Sequence, residues 1–301
     1  MKAIFFDCND QLAPVWKRVA RPDDPPIDVN LTPFAREDLP RVIRGYNIAI
    51  DDHSYMPTEL VAQCPELKHI VFLGTGPRSY MDVDAIEARG IKVHIIKGYG
   101  DTAVAEHSIA LMVSAARDVA RMDREVRRGT WTPHEGVQLT GKTLGVIGLG
   151  GIGREVARIG AGMGMNVIGW NRTKHPEIKV PLVEIDELLA RADVVSMNLT
   201  LGDETRGFLS RERIGKMKPG VIYVNTARGA LADEAALIDA LKRGPIRHAG
   251  LDVFHEEPLK PDHPLAQLEN VTLTAHAAFR TLEASMTLLR RSIDIVKRIV
   301  S

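Results

Sequence analysis

The sequence predicts an α/β protein made of doubly wound parallel sheets, in two units. Short apolar, β-branched runs alternate with longer stretches of helical period from end to end. The runs are continuously apolar, the pattern of strands covered on both faces. One run leads straight into a glycine-rich turn and then a helical segment. At 301 residues, roughly 100–200 residues per domain gives about two domains, each large enough for a core.

In the first half the strand candidates are Ile4-Phe5-Phe6, Asn47-Ile48-Ala49-Ile50, residues 69–73 and residues 91–96, with helical stretches at 58–62 and 84–88. Arg21-Pro22-Asp23-Asp24-Pro25-Pro26 reads as a surface loop. Residues 102–121 read as one helix, apolar round most of its circumference between Ala103 and Ala116. Such a helix must be buried nearly all round, within a domain, between domains or between subunits. A polar connector with Gly129, Pro133, Gly136 and Gly141 leads into the second half. There the strand candidates are residues 143–147, 166–169, 194–197, 221–224, 249–253 and 271–273.

Composition excludes several classes. Lys+Arg and Asp+Glu are both 39, so the formal net charge is zero, and the longest basic cluster is Arg127-Arg128. A nucleic-acid binder needs a basic excess or stripe. No apolar run approaches the ~18 residues of a membrane span, and the apolar start is too short for a signal peptide. Cys8 and Cys64 can form neither a disulfide framework nor a structural zinc site, and are read as reduced thiols. The expectation is a cytoplasmic protein without a metal site.

The glycine-rich segment is the strongest local signal. The strand at 143–147 runs into Gly148-Leu149-Gly150-Gly151-Ile152-Gly153, and Arg154 to Ile159 continues as helix. Strand, GxGxxG turn and helix together mark a dinucleotide site of Rossmann type. Gly148 permits the sharp turn, Gly150 lets backbone approach a pyrophosphate, and Gly153 lets helix pack on strand. N–H groups at the helix start favour the anion. The next strand ends at Asn171-Arg172-Thr173, where an NAD site usually places Asp or Glu. Asn171 removes a charge that repels a 2′-phosphate, Arg172 offers a planar cation and Thr173 a hydroxyl. NADP is therefore the preferred coenzyme and NAD the alternative; in the competing reading Arg172 is a solvated loop residue.

Further motifs carry a resemblance. Ala103-Val104-Ala105-Glu106-His107, Gly141-Lys142-Thr143-Leu144-Gly145, residues 218–229 ending Asn225-Thr226-Ala227-Arg228-Gly229, Gly250-Leu251-Asp252-Val253-Phe254 with Glu256-Glu257-Pro258, and Thr274-Ala275-His276 follow in order. Together they resemble the D-isomer-specific 2-hydroxyacid dehydrogenases, which include glyoxylate/hydroxypyruvate reductases and phosphoglycerate dehydrogenases. The resemblance covers nearly the whole chain. It implies reduction of a small 2-oxo acid to the D-2-hydroxy acid, with Arg228, Glu257 and His276 as catalytic residues. Arg228 suits a bidentate pair with a carboxylate. His276 titrates near neutrality and can exchange a proton, and Glu257, the residue before the proline, can orient it. The resemblance further implies that Thr75 and Gly76, in Phe72-Leu73-Gly74-Thr75-Gly76, bind the substrate with Arg228. Val104, Gly148, Gly150, Gly151, Ile152, Gly153, Asn171, Arg172, Thr173, Thr226, Ala227, Asp252 and His276 would contact the coenzyme.

The chain departs from the family pattern in four places. Residues 77–82 read Pro-Arg-Ser-Tyr-Met-Asp after the glycine turn. Asp51-Asp52-His53 stands where an arginine is common, Ala275 where proline usually precedes the histidine, and Phe279-Arg280 where small residues are usual. These departures line the expected pocket and leave the substrate open, with Arg78, Tyr80, His53 and Arg280 of unassigned role. The implied architecture is two Rossmann-like domains with an interdomain cleft. Residues 1–99 with 281–301 form a discontinuous substrate domain and residues 100–280 the dinucleotide domain, and the long apolar helix lies in a homodimer interface. The alternatives on this fold are a nucleotide-sensing corepressor and a catalytically silent binding paralogue.

Overall fold

The computed structural model describes residues 1–173 and 178–301. The chain forms two compact units: Met1–Gly100 with Arg280–Ser301, and Asp101–Phe279. The first unit begins with β1 (Ala3–Phe5), α1 (Leu12–Val19), β2 (Ile27–Val29), α2 (Leu39–Ile43) and β3 (Ile48–Asp51). It continues with α3 (Thr58–Val61), β4 (His69–Phe72), α4 (Val83–Glu87) and β5 (Lys92–Ile95). The second unit opens with α5 (Asp101–Arg117), α6 (Val119–Arg127), β6 (Thr143–Ile147), α7 (Gly151–Gly162) and β7 (Asn166–Trp170). Then come α8 (Ile185–Arg191), β8 (Val194–Met197), α9 (Arg211–Gly215), β9 (Val221–Asn225), α10 (Glu234–Arg243), β10 (Ile246–Leu251) and β11 (Val271–Leu273). The last helix, α11 (Leu282–Val300), belongs to the first unit.

Both sheets are parallel throughout, in the orders β2-β1-β3-β4-β5 and β11-β10-β9-β8-β6-β7. In the first, side chains alternate between two buried faces. Phe5, Ile48, Ile50 and Val71 pack with Trp16 of α1 and Leu289, Ile293 and Val296 of α11. Ile4, Ala49, Ile70 and Phe72 pack with Leu39, Ile43 and Met56 on the other side. This double burial is why the strands are apolar at every position. Thr281 caps α11 by accepting from Ala284 N–H at 3.1 Å. Arg290 of α11 forks onto Asp24 with two bonds of 2.7 Å, fixing the proline-rich loop to the helix.

Three sequence expectations need correction. The helix expected over 102–121 is two helices, broken at Asp118, which lies in the left-handed region at φ 52. Asp tolerates this conformation better than most residues, and its carboxylate sits 3.0 Å from Nδ1 of the buried His248. The edge strand β2 was missed, because three residues after a run of prolines show no readable period. β10 begins at Ile246, with a register shift between Ile246 and His248, and ends at Leu251. Asp252 and Val253, expected in the strand, lie beyond it.

In each sheet the chain turns to one side after the first strand and crosses to the other with the third. The switch points fall between β1 and β3, and between β6 and β8. Such points open a crevice beyond the carboxyl ends of the strands. In the first unit that crevice holds acids. Asp7, just past β1, accepts from the N–H groups of Asp52 (2.9 and 3.0 Å), His53 (3.3 Å) and Ser54 (3.2 Å). Asp51, at the end of β3, is fully buried, accepts from Ser54 N–H at 2.9 Å, and hydrogen-bonds side chain to side chain with Asp7. Asp51 Oδ2 is buried with no hydrogen-bond partner among the described residues. Burial first, and then the Asp7 charge, push its carboxyl well above the usual range, and burial raises Asp7 as well. Two interacting carboxyls titrate as a unit and can share one proton.

An unfolded Asp51 ionises near pH 4, whereas in the fold it keeps its proton above that, so the pair contributes fully at low pH and loses stability as pH rises. Asp51→Asn, neutral and able to donate to Asp7, is expected to raise Tm over the native chain by a margin that grows from about pH 5 to about pH 8. Thermal melts across that range check this; a margin that shrinks with pH contradicts the shared proton.

Candidate active site

At the switch point of the second unit, β6 ends at Ile147 and Gly148 turns the chain at φ 89. A Cβ on Gly148 would lie 2.8 Å from the Asn198 carbonyl oxygen, and one on Gly153 would lie 1.9 Å from the Gly148 carbonyl oxygen. Both positions therefore exclude any side chain. Gly151 differs, because a Cβ there would meet the end of the Asp101 side chain, which can shift. Gly150 differs from these: a Cβ there would meet nothing within 4 Å. Open space over a backbone that caps α7 is the cradle an approaching pyrophosphate needs. Asn198, just past β8, adds a buried Oδ1 with no hydrogen-bond partner among the described residues, suited to a ligand hydroxyl. The residues present thus fit a dinucleotide.

Asn171 does more than leave out a charge. Its Oδ1 accepts from Leu149 N–H at 2.9 Å and its Nδ2 donates to the Thr173 carbonyl at 2.6 Å, so it ties the end of β7 to the glycine turn. Arg172 pairs with Glu204, and both side chains are largely exposed. Val104 and Thr226 come together through Ser108, whose Oγ donates to the Val104 carbonyl at 2.8 Å and lies 2.7 Å from Thr226 Oγ1.

Arg228 follows β9 on a turn built by Asn225, which sequence reasoning passed over. Asn225 Oδ1 accepts from Ala227 N–H and Nδ2 donates to the Arg228 carbonyl, each at 2.9 Å. An Asn at a strand end before a turn is a signal that was available. Gly229 admits no side chain, since a Cβ would lie 2.2 Å from the Phe254 carbonyl carbon. That close approach brings the Arg228 turn against the segment leading to Glu257.

Glu257 and His276 meet directly, with Oε2 to Nδ1 at 2.7 Å, while Glu257 Oε1 accepts from Phe254 N–H at 2.9 Å. Glu256 points elsewhere, to Lys260 Nζ at 2.8 Å. Burial works to raise the Glu257 carboxyl, but hydrogen bonds from His276 and Phe254 and the charges of His276 and Arg228 prevail and hold it below its ordinary value. Each side chain is about a third exposed, 30% for His276 and 34% for Glu257, which leaves the pair accessible to a substrate.

The backbone of His276 is left-handed, at φ 49. Strain of this kind persists only where the surroundings impose it. Here they do: His276 N–H donates to the Asp252 carbonyl at 2.8 Å. The fully buried Asp252 carboxylate accepts from Thr274 Oγ1 (2.5 Å), Ala277 N–H (2.9 Å) and Ala278 N–H (2.9 Å). His107 Nε2 lies 2.9 Å from Thr274 Oγ1 and 3.6 Å from Asp252. Burial works to raise the Asp252 carboxyl, and these bonds outweigh it and keep it low. Asp252, expected among coenzyme contacts, thus has both oxygens engaged by the loop that carries His276.

In the first unit Thr75 and Gly76 lie in the turn after β4, with Thr75 exposed. Arg78 is bound to Asp84 by two bonds of 2.8 Å. His53 places Nδ1 3.1 Å from Asp52 Oδ1, with its ring edge-on to Phe72 and Tyr80. Arg280 donates to Gln11 Oε1 at 2.8 Å. Among the described residues no group of three or more His, Cys, Asp or Glu is placed to hold a metal ion.

Comparison with known proteins bears on these arrangements. Residues 109–278 match the family model described as D-isomer specific 2-hydroxyacid dehydrogenase, NAD binding domain. The D-3-phosphoglycerate dehydrogenase of Archaeoglobus fulgidus is 40% identical over 85% of this chain and 50% of its own length. The chain thus spans about half of that relative. The hydroxypyruvate reductase of Blautia hydrogenotrophica is 34% identical over 84% of this chain and 82% of its own. A crystal structure of a protein from Thermus thermophilus superposes with a TM-score of 0.84 at 32% identity, covering 97% of this chain and 94% of that one.

The glycines separate folding from binding. Gly150→Ala is expected to leave Tm close to native, since its methyl enters open space, and to weaken dinucleotide affinity at least about tenfold. Gly153→Ala is expected to lower Tm as well, because its methyl collides with backbone. Thermal melts and fluorescence titration with the coenzyme check both.

Proposed function

The chain belongs to the D-isomer-specific 2-hydroxyacid dehydrogenase family, and we propose that it reduces a small 2-oxo acid to the D-2-hydroxy acid with a nicotinamide coenzyme, and runs the reverse oxidation. The observation that carries this reading is the 2.7 Å contact between Glu257 and His276, with the charge of Arg228 beside it. When bound, the nicotinamide supplies or accepts the hydride. The residues of the chain do the rest. Arg228 holds the substrate carboxylate and polarises the carbonyl. Glu257, ionised because its carboxyl is held low, keeps Nδ1 of His276 as a hydrogen-bond donor and stabilises the charged ring. Nε2 is then the nitrogen that gives a proton to the oxo oxygen, or takes one in the oxidation. In this reading Thr75 and Gly76 bind the substrate carboxylate. Glyoxylate and hydroxypyruvate are the first substrates to try.

NADP is the preferred coenzyme in this proposal. Asn171 leaves the ribose site without a carboxylate, and Thr173 adds a donor. The Arg172–Glu204 pair is exposed, so it contributes little and a 2′-phosphate can replace Glu204. We also infer a homodimer, supported by apolar surface at Val119, Val126 and Trp131, the last 87% exposed.

The test is loss of reduced coenzyme with each acid, using NADPH and NADH in turn. Turnover is expected, with NADPH favoured; silence with every acid defeats the activity, and a clear NADH preference defeats the coenzyme assignment. His276→Ala is expected to lower kcat at least about 100-fold, far more than it weakens coenzyme affinity; near-native kcat would remove His276 from the mechanism. Sedimentation at the mass of one chain would refute the dimer.

A further inference from the structure

The switch-point crevice of the first unit, between β1 and β3, adjoins β4, whose following turn carries Thr75 and Gly76. The adjacency is close: Leu73 N–H donates to the Asp51 carbonyl at 2.8 Å, and the His53 ring meets the Phe72 ring at 5.5 Å. What faces a ligand from this unit is therefore set by the ends of β1, β3 and β4.

The strand ends carry several carboxylates, set against Arg280 of the same unit, which donates to Gln11 Oε1 at 2.8 Å. Asp7 and the buried Asp51 interact side chain to side chain, Asp7 accepts from the N–H groups of Asp52, His53 and Ser54, and burial raises both carboxyls. Asp52 adds a second carboxylate, which accepts from Asn9 Nδ2 at 3.3 Å and lies against His53. Arg78 is matched by its two bonds to Asp84. The neighbouring Cys8 thiol registers the same field, being pushed up to about 12 by burial and then by Asp7, Asp52 and Asp10. Asp51 Oδ2 is buried there with no hydrogen-bond partner among the described residues.

We propose that the Asp7–Asp51 pair and Asp52 form a specificity-determining element that admits a 2-oxo acid with an uncharged remainder and rejects one bearing a second anionic group. This inference rests on the reductase reading above and narrows it. Two relatives of different substrate name, a phosphoglycerate dehydrogenase and a hydroxypyruvate reductase, match this chain, and the acidic crevice favours the unphosphorylated class. Like charges brought together are strongly unfavourable.

The experiment compares kcat/KM for hydroxypyruvate and for 3-phosphohydroxypyruvate. The first is expected to exceed the second by about 100-fold or more. The gap is expected to narrow as salt is raised toward about 1 M, where the Debye length falls to about 3 Å. Asp52→Asn, which keeps a hydrogen-bonding side chain, is expected to close the ratio about tenfold, the effect of one charge at short range. Equal or greater efficiency with the phosphorylated acid overturns the proposal, and an unchanged ratio in Asp52→Asn removes Asp52 from it. Absence of turnover with both acids and with glyoxylate, using either coenzyme, is a distinct result. It overturns the reductase reading and this inference with it.

Discussion

Asp252 leaves the end of β10 for a position with no solvent exposure, and its two oxygens are then spent within a few residues of chain that return from β11. Remove that carboxylate and the N–H groups of Ala277 and Ala278 are left buried without an acceptor, at about 1–3 kcal/mol each. The left-handed His276 would then have little to hold it. The imidazole reaches Glu257 only because the backbone on either side of it is tied to Asp252, by Thr274 before and Ala277 after. Glu257 is placed in turn by its own bond to Phe254 N–H. The Glu257–His276 pair is thus assembled by hydrogen bonds to backbone rather than by side-chain packing. Such bonds fix direction as well as distance.

The two sheets share a topology and fill its crevice in opposite ways. In the second unit, glycines strip the switch point of side chains, and the exposed N–H groups of α7 make it receptive to an anion. In the first, Asp7 accepts from three successive N–H groups of the chain following β3. Those donors are consumed internally, so the first crevice offers an anion no comparable nest. Fold alone does not distinguish these outcomes; the residues at the strand ends do.

What was legible in the sequence was whatever is local. The strand at 143–147, the glycine turn and the helix after it follow from period and composition over a short window, and β8 and β11 fall where the pattern places them. The break at Asp118 was not legible. It depends on His248, which the sheet brings beside it, and the intervening apolar period runs on as though the helix were continuous. The Asp7–Asp51 contact escaped for the same reason. Each acid ends an ordinary apolar run, and only the parallel register of β1 on β3 sets them together. Arg228, Glu257 and His276 were nominated through family resemblance. Asn225 and Asp252, which hold them in place, show their work only as distances.

Zero net charge takes on a different meaning once these local arrangements are known. A coenzyme and a 2-oxo acid are both anions, and a neutral chain offers them no long-range attraction. On the function proposed above, recognition rests on short-range donors in fixed positions, such as the N–H groups at the start of α7. Donors of that kind discriminate by position rather than by total charge, so a single misplaced carboxylate weighs heavily. On the specificity proposal above, Asp51 and Asp52, two acids among 39, weigh on substrate choice more than the overall balance does.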